Sequence, residues 1–508
     1  MESPSPATAS DDLRIDRAAS SQPAAAGRSA TRLDYLIQVI VLVLAIATPA
    51  ALGVRAASAA DLDVFWHLRA GEWILQHHAI PHADPFSWTF AGKPWQAYSW
   101  LFEILAIKLF YRFGSAGLLG YVALMLVAIM TALQRMIRRL QPGVGVLLMV
   151  AACLGMGHLS MPRPWMFTIL FFIFELDILM HARKTGKTRE LLWLPFIFAL
   201  WSNLHIEFID GLLVLALAAA EPIAARFFPQ IKTGLRTGWL AAIFAASALA
   251  TLLNPFGWKV YGVVFDYSSR LAAHANALNA VTELQANPFR DLGNYCVLFL
   301  AMAAAAVLAR QRRFHFFEIG LLAFGAVESF RSQRDVWIVV ISAVAILAAC
   351  LPDRAHAAAK RPRRVPLVLA GPAAALIVLA MLRSSNFAPD AINKEVAAVL
   401  PVRAVEAIQA RGYTGPIYND YNWGGYLMWA LHMPVSMDGR ASFYGDEAIE
   451  RSMQTWGGAP DWASDPALKS AGIVIGPRDT ALTQLLRTDP HFQLAYEDKI
   501  AAVFVARR

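Results

Sequence analysis

The chain has 508 residues, of which 57% are hydrophobic and only 16% are charged, and its mean hydropathy is +0.45. Soluble proteins carry about 25% charged residues, so this composition excludes an ordinary soluble enzyme and indicates a polytopic membrane protein. The net charge of +8 does not indicate nucleic-acid binding, because most Lys and Arg stand in short clusters between apolar runs. Three cysteines without paired spacing provide neither a disulfide framework nor a zinc site.

The chain begins with residues 1–32, which are rich in Ser, Ala, Pro and Arg and are predicted to form a disordered cytoplasmic tail. Residues 33–383 are predicted to form a transmembrane domain, because apolar runs of about 17–21 residues recur there, long enough to cross a bilayer as helices. Ala57-Ser58-Ala59 matches a signal-peptidase site, but the preceding run is too long for a signal peptide and predicts an uncleaved anchor. About eleven spans are predicted, near 34–54, 114–134, 143–159, 164–181, 191–204, 209–225, 238–256, 292–309, 316–330, 336–351 and 365–382.

The distribution of Lys and Arg predicts the orientation in the membrane. With a cytoplasmic N-terminus, the basic clusters near residues 135–139, 183–189, 226–236, 310–313 and 354–364 all fall in inside loops. An odd number of spans then places the C-terminal region outside, which for a bacterial inner membrane is the periplasm. The first long outside loop, 55–113, contains an amphipathic stretch from Tyr98 to Tyr111 that is predicted to lie along the membrane surface.

Residues 384–508 have a different pattern, in which short apolar segments alternate with helical ones. We predict helices over 395–411, 423–432 and 480–487, strands over 416–418, 435–437 and 473–475, and a final hairpin from 492–496 and 501–506. Alternating strands and helices indicate a small α/β domain outside the membrane.

Polar and ionisable residues gather at the outer ends of the predicted spans. Such groups are costly at membrane depth, so they tend to face a cavity and to act there. The set is Asp61, Asp63, His67, Arg69, Glu72, His158, Arg163, Asn203, His205, Glu207, Asp210, Asn254, Glu283, Arg331, Arg334 and Asp335. We expect the folded bundle to bring these residues together.

The acidic pair Asp61 and Asp63 follows the first span directly. One carboxylate could act as a general base toward an acceptor hydroxyl, and the two together could hold Mg²⁺ or Mn²⁺ against a phosphate. The alternative is that they cap the helix that follows.

Three arginines, Arg163, Arg331 and Arg334, lie on the outer side against the orientation rule. Guanidinium groups bind phosphate through several donors, so we expect a phosphate-binding role; the alternative is intramolecular pairing, for example of Arg334 with Asp335. Asn203, His205 and Glu207 end another span, where they could bind substrate or orient the neighbouring loops.

Signatures of soluble nucleotide-dependent or serine-dependent enzymes are missing from the sequence. In the C-terminal domain, the run from Asn419 to Tyr426 and the triplet Asp438-Gly439-Arg440 each follow a predicted strand. They could form a sugar site with Trp423 as a stacking platform. Turn capping by Asn and Asp, with Gly for tight packing, is the favoured interpretation.

The pattern resembles the GT-C superfamily of membrane glycosyltransferases, through its topology and through Asp61-Leu62-Asp63 with Trp66-His67-Leu68-Arg69 in the first outer loop. It also resembles an uncharacterised group of bacterial polytopic membrane proteins, which shares Trp201 to His205, Asn254 to Gly257 and the two C-terminal motifs. The resemblance implies a polyprenyl-phosphate-linked sugar donor, Asp61 or Asp63 as the catalytic acid of the family, and outer arginines as contacts of the lipid phosphate. The Trp-Trp-Asp-Tyr-Gly signature of oligosaccharyltransferases is missing here.

The sequence therefore predicts a GT-C-type enzyme that transfers a hexosyl or pentosyl group to a lipid, glycan or protein acceptor in the periplasm. Asp61 and Asp63 are the predicted catalytic residues and the candidate metal ligands. The predicted binding residues are His67, Arg69, Arg163, Asn203, His205, Glu207, Arg331 and Arg334. A surface-polysaccharide ligase or polymerase, a transporter and a non-catalytic scaffold remain as alternatives, and the sequence leaves the oligomeric state open.

Overall fold

A computed structural model describes residues 32–57, 61–141, 145–231, 233–272, 281–311, 313–351, 367–384 and 389–507. The predicted tail, apart from residue 32, lies outside these residues. So do Ser58 and Ala59 of the triplet that matches a signal-peptidase site, and the whole basic cluster at 354–364.

Helices account for most of the chain up to residue 411. Their bounds are α1 Arg32–Ala56, α2 Val64–His77, α3 Trp100–Phe113, α4 Ser115–Leu140, α5 Gly145–Met156, α6 Trp165–Thr185, α7 Leu194–Trp201, α8 Phe208–Phe227, α9 Thr237–Ala250, α10 Val260–Ala272, α11 Leu292–Ala309, α12 Phe316–Arg331, α13 Val336–Cys350, α14 Leu367–Ser384, α15 Pro389–Val399 and α16 Val402–Arg411. Each of the eleven predicted spans coincides with one of these helices, and α3 coincides with the predicted amphipathic stretch.

Six helical segments in the described residues are long and apolar enough to cross a membrane: α1, α4, α6, α8, α11 and the segment Gln333–Cys350, which ends in α13. The protein is therefore an α-helical polytopic membrane protein. Helix α7 has only 8 residues, which is about 12 Å of helix against about 30 Å of bilayer hydrocarbon. The total of eleven crossings stays a prediction.

Helix α13 forms the centre of the bundle. Every residue from Val336 to Ala348 is buried, as expected for a helix that is apolar on all sides. It packs against α4, α5, α6, α11 and α12. The loop between α12 and α13, which carries Arg334, is thereby held close to the loop that enters α6.

The C-terminal part forms a small domain around a four-stranded sheet of order β1-β2-β4-β3, with β1 Ile417–Asn419, β2 Ile473–Pro477, β3 Phe492–Glu497 and β4 Ala501–Ala506. Strands β1 and β2 are parallel, and β4 pairs antiparallel with both β2 and β3. The short helices are α17 Gly424–Leu431, α18 Ala441–Tyr444, α19 Asp446–Trp456, α20 Pro466–Lys469 and α21 Ala481–Leu486.

Two predictions for this domain were wrong. The helix expected over 395–411 is two helices, α15 and α16, because Pro401 separates them and cannot donate a helical hydrogen bond. The strand expected over 435–437 is reduced to isolated bridges of Val435 with Ile417 and Ser87.

The bridge between Val435 and Ser87 joins the first outer loop to the C-terminal domain. The Trp88 amide donates to the Val435 carbonyl at 3.0 Å, and the Val435 amide donates to the Phe86 carbonyl at 3.2 Å. The Trp88 indole donates to the Ile417 carbonyl at 3.0 Å. The loop and the sheet therefore form one continuous structure above the helical bundle.

Candidate active site

A cavity of about 970 Å³ lies where the helical bundle, the first outer loop and the C-terminal domain meet. Seven of the ten predicted site residues line it: Asp63, His67, Arg163, His205, Glu207, Arg331 and Arg334. They come from four regions of the chain: the start of α2 with the residue before it, the connection before α6, the connection between α7 and α8, and the end of α12 with the connection that follows it. The fold thus brings together side chains that are far apart in the chain. The C-terminal domain contributes Asp420, Tyr421 and Gly439 to the wall.

The two acids of the first loop have different environments. One oxygen of Asp61 accepts hydrogen bonds from the amides of Asp63 at 2.9 Å and of Val64 at 3.1 Å, and its side chain is fully buried. Asp61 therefore fixes the start of α2, as the capping interpretation requires. The Asp63 side chain is 25% exposed and lines the cavity, so it is the acid that a substrate can reach.

Arg163 joins both acids to a third carboxylate. Its Nε lies 2.7 Å from Asp61 Oδ2, and its Nη1 lies 2.8 Å from Asp63 Oδ2 and 3.1 Å from Glu283 Oε2. The Trp165 ring lies 4.7 Å from the guanidinium carbon. The predicted phosphate-binding arginine is thus already paired with acids of its own chain.

The carboxyl group of Asp63 has a strongly altered acidity. Burial raises its pKa to about 7; Arg163 opposes this shift, whereas Glu283, Asp61 and Asp438 add to it. A carboxylate with a pKa near neutrality can exchange a proton at physiological pH. Asp63 thus has the accessibility and the acidity of a general base.

Gly439 packs directly against this carboxylate. A Cβ atom at position 439 would lie 1.9 Å from Asp63 Oδ1, so only glycine fits there without displacing the acid. Gly425 similarly approaches the backbone of Leu62 and Trp66 on α2. Gly425 and Gly439 therefore serve tight packing against the segment that carries the acidic motif, whereas Gly424 packs against Met437 and Asp438.

The triplet Asp438-Gly439-Arg440 is fixed by a buried ion-pair network. Arg440 binds both oxygens of Asp438, at 2.8 and 2.6 Å, and its Nη1 lies 2.9 Å from Asp84 Oδ1 in the first outer loop. The Tyr444 hydroxyl donates to Asp438 at 2.6 Å. Because this network spans both parts of the structure, it fixes Gly439 relative to Asp63.

His67 lies on α2 beside Glu103 of α3. Its Nδ1 is 3.4 Å from Glu103 Oε1, and the Trp66 ring stacks on it with centroids 3.5 Å apart. Burial lowers the pKa of His67 well below its usual value and raises that of Glu103 to about 8. At neutral pH the pair is therefore uncharged, so His67 adds no positive charge to the cavity.

Another part of the cavity lining is a chain of polar contacts that ends at Arg334. The Trp201 indole donates to the Thr168 hydroxyl at 2.9 Å, and this hydroxyl lies 3.0 Å from His205 Nδ1. The same nitrogen is 3.2 Å from Glu207 Oε2, and Glu207 Oε1 is 3.1 Å from Arg334 Nη2. Burial by itself would raise the pKa of Glu207, but His205 and Arg334 lower it overall.

Arg331 is held more loosely than Arg334. Its side chain is 46% exposed, and its ion pair with Glu328 spans 4.0 Å. This guanidinium can turn toward an anion in the cavity at little cost, because exposed ion pairs at such distances contribute little.

Three predicted site residues do not line the cavity. Asp61 lies behind Asp63 as described, and Arg69 pairs with Glu72 on α2. Asn203 uses its side chain to join helices: it accepts from the Trp100 indole at 2.9 Å and donates to the carbonyls of Ala199 and Leu253 at 2.7 and 2.8 Å.

Sequence reasoning missed Glu103, assigned no role to Glu283, and predicted tight packing for Gly439 without identifying Asp63 as the group against which it packs. Nothing in the sequence indicates that Glu103 is buried, because it falls inside the amphipathic stretch, where a charged residue normally faces water. Its burial follows from the packing of α3 on α2, which the sequence pattern does not encode. Glu283 stands among the outer polar residues of the sequence, but nothing local indicates its pairing with Arg163.

The acidic pair does not fit a resident Mg²⁺ or Mn²⁺. Such ions require several oxygen ligands at about 2.1 Å, whereas Asp61 already bonds two amides and Arg163, and Asp63 also bonds Arg163. Among the described residues, no group of three or more His, Cys, Asp or Glu side chains is arranged to hold a metal ion.

The sequence matches no family model and no curated protein. The fold is similar to that of the Archaeoglobus fulgidus oligosaccharyltransferase in its apo form, with a TM-score of 0.57 and 12% identity over 88% of this chain and 70% of that chain. It is also similar to ArnT from Cupriavidus metallidurans bound to undecaprenyl phosphate, with a TM-score of 0.50 and 10% identity over 93% and 98% of the two chains. Another structure of the archaeal enzyme contains Zn and sulfate and gives a TM-score of 0.54 at 11% identity.

Both proteins are GT-C superfamily membrane glycosyltransferases. The predicted GT-C fold with a small C-terminal sheet domain is therefore confirmed. At these identities the similarity is one of fold, and the chemistry must be argued from the cavity.

Proposed function

We propose that this protein is a membrane glycosyltransferase that transfers a sugar from a polyprenyl-phosphate donor to a hydroxyl group of a lipid, glycan or protein acceptor on the periplasmic side of a bacterial inner membrane. The observation that carries the proposal is Asp63: an accessible carboxyl group with a pKa of about 7 in a cavity that also contains Arg331 and Arg334. A base and two phosphate-binding groups in one cavity are what such a reaction needs.

The donor would bind with its phosphate toward Arg331 and Arg334. A guanidinium can donate two hydrogen bonds to one phosphate, and the loosely paired Arg331 is the more readily available. The apolar side chains of Leu213, Val263 and Val264 line the same cavity and suit a polyprenyl chain. The ArnT neighbour was solved with undecaprenyl phosphate, which supports this class of lipid.

In the proposed reaction, an acceptor oxygen attacks the anomeric carbon of the donor sugar. The new carbon–oxygen bond forms as the bond between the anomeric carbon and the phosphate oxygen breaks. The acceptor proton moves to the Asp63 carboxylate, and polyprenyl phosphate leaves as an anion that the arginines stabilise. General-base assistance of this kind contributes about 10²–10⁴-fold to the rate.

The other cavity residues have positioning roles in this scheme. His205 and Glu207 hold Arg334 through the contacts described above, while Asp61 fixes the start of α2 and hence the backbone of Asp63. The acceptor would enter beside Tyr421 and Asn422 of the C-terminal domain, which also line the cavity.

The proposal is tested by thermal unfolding of the detergent-purified protein with undecaprenyl phosphate. A ligand at 100 times its dissociation constant stabilises the native state by about 2.7 kcal/mol, so we expect an increase in Tm. The increase should shrink in Arg331→Ala and Arg334→Ala, and undecaprenol, which lacks the phosphate, should not reproduce it.

Arg478→Ala is the matched control, because Arg478 forms an exposed ion pair with Asp479 and does not line the cavity. This variant should keep the full increase. An equal increase in all variants, or none with any protein, would contradict a phosphate site formed by the two cavity arginines.

A further inference from the structure

We propose that Arg163 is the resident cation of the acid cluster, defined as Asp61, Asp63 and Glu283, and that it serves there in place of a divalent metal ion. It is thus a positioning residue that orients Asp63 without a metal. This inference depends on the proposed function only for the catalytic role of Asp63.

The geometry carries the inference. Nitrogen atoms of Arg163 lie 2.7, 2.8 and 3.1 Å from one oxygen each of Asp61, Asp63 and Glu283. Three carboxylates thus contact one guanidinium, through its Nε and its Nη1. The planar array of donors of this group can serve several oxygens at once.

Arg163 is itself rigidly held. Its side chain is 12% exposed, and the Trp165 ring lies 4.7 Å from its guanidinium carbon. The Tyr121 hydroxyl donates to its backbone carbonyl at 3.0 Å. A group with so many contacts behaves as part of the site, whereas a phosphate-binding arginine has to give up its partners when substrate arrives.

The charges explain why the cluster needs a cation. Without Arg163, three acids would face one another in a mostly buried site, and repulsion would drive protons onto them. Arg163 is the group that contacts all three acids. Its removal should therefore leave the cluster without its central positive charge and open to another cation.

The test measures Mn²⁺ binding to the detergent-purified protein. Binding is monitored in titrations through the electron paramagnetic resonance signal of free Mn²⁺. Wild-type protein should leave the signal of the free ion unchanged. Arg163→Ala vacates the centre of the cluster, so it should bind one Mn²⁺ with a dissociation constant on the order of 10⁻⁴–10⁻³ M, as weak carboxylate sites do. The same ion should raise the Tm of this variant and not that of wild type.

Two further variants make the result specific. The double variant Arg163→Ala/Asp63→Asn should lose the acquired Mn²⁺ binding, and Arg163→Lys, which keeps the charge, should not acquire it. Stoichiometric Mn²⁺ binding by wild type that Asp63→Asn abolishes would overturn the proposal, and so would a folded Arg163→Ala that binds no ion. If Arg163→Ala fails to fold, the titration of wild type still shows whether the native cluster binds Mn²⁺. Neither the wild-type titration nor the variant titration depends on binding of the sugar donor.

Discussion

Alanine at position 439 should displace the carboxylate on which the proposed reaction depends. Its Cβ would lie 1.9 Å from Asp63 Oδ1 and 3.0 Å from Asp63 Cγ. The backbone of Gly439 is not in the left-handed region, so alanine can adopt its conformation. The clash with Asp63 is therefore the main perturbation.

The size of the effect follows from the distances. Real Cβ contacts stay beyond 3.0 Å, so Asp63 Oδ1 must move by at least about 1 Å. Because Asp63 is also held by Arg163 at 2.8 Å, that movement breaks or lengthens the ion pair. A misplacement of about 1 Å can reduce a rate about 10²-fold, whereas overpacking of this kind costs about 1–3 kcal/mol of stability. We expect kcat to fall about 10²-fold and the KM of the lipid donor to change little, because Arg331 and Arg334 are untouched.

The assay measures initial rates of polyprenyl-phosphate release by mass spectrometry, together with the Tm and elution volume of each protein. Gly320→Ala is the matched control, because its Cβ would lie 2.8 Å from the Leu217 side chain, in the bundle and outside the cavity lining. The end of the Leu217 side chain can move aside, so this variant should keep kcat per folded molecule. The reasoning would be refuted if Gly439→Ala had the kcat of wild type. It would also be refuted if the rate of each variant fell only in proportion to its amount of folded protein.

Three further predictions concern other groups of the site. The rate should rise with pH through about 7, because the Asp63 carboxyl with its pKa raised to that value must be ionised to accept a proton; a pH-independent rate in this range would argue against its role as base. Burial raises the pKa of Glu103 from 4.5 to about 8, so between these pH values the folded state keeps a proton that the unfolded state loses, and Tm should fall as the pH rises. Glu103→Gln should flatten this pH dependence of Tm, and an unchanged slope in the variant would contradict the assignment to Glu103. Asn203→Ala should lower the free energy of unfolding by about 1–3 kcal/mol because its hydrogen bonds are lost, as measured by denaturant unfolding. Initial rates per folded molecule should stay unchanged, and a loss of rate without loss of folded protein would show that Asn203 acts in the site.

The helices and the general position of the site could be predicted from the sequence because both depend on local or one-sided patterns. Apolar runs of bilayer length located the helix at each predicted span. Polar residues at the ends of those spans that were predicted to lie outside, such as Asp63, His205 and Arg334, line one cavity, as expected if these ends lie on one side of a membrane and so near one another. The capping alternative for Asp61 was likewise visible, because its partners are the next residues in the chain.

The parts that could not be predicted depend on contacts between distant segments. The pairing of Arg163 with three acids requires the packing of loops that the sequence does not specify. The fit of Gly439 against Asp63 requires the C-terminal domain to dock on the first loop, and a Gly in a turn has the same local pattern whether or not a catalytic group lies beside it. The predicted strand at 435–437 failed for a related reason, since Val435 pairs with the outer loop at Ser87 as well as with β1.

The most direct test of the central claim is incubation of the purified protein with a panel of synthetic polyprenyl-phosphate sugars and a membrane lipid extract as the source of acceptor, with polyprenyl phosphate quantified by mass spectrometry. Wild-type protein should release polyprenyl phosphate from at least one donor. Asp63→Asn, which is close to isosteric and keeps the fold, should lose at least about 10²-fold of that rate. Undiminished release by Asp63→Asn would contradict the assignment of Asp63 as the base, and no release by wild type from any donor of the panel would contradict the proposed transfer.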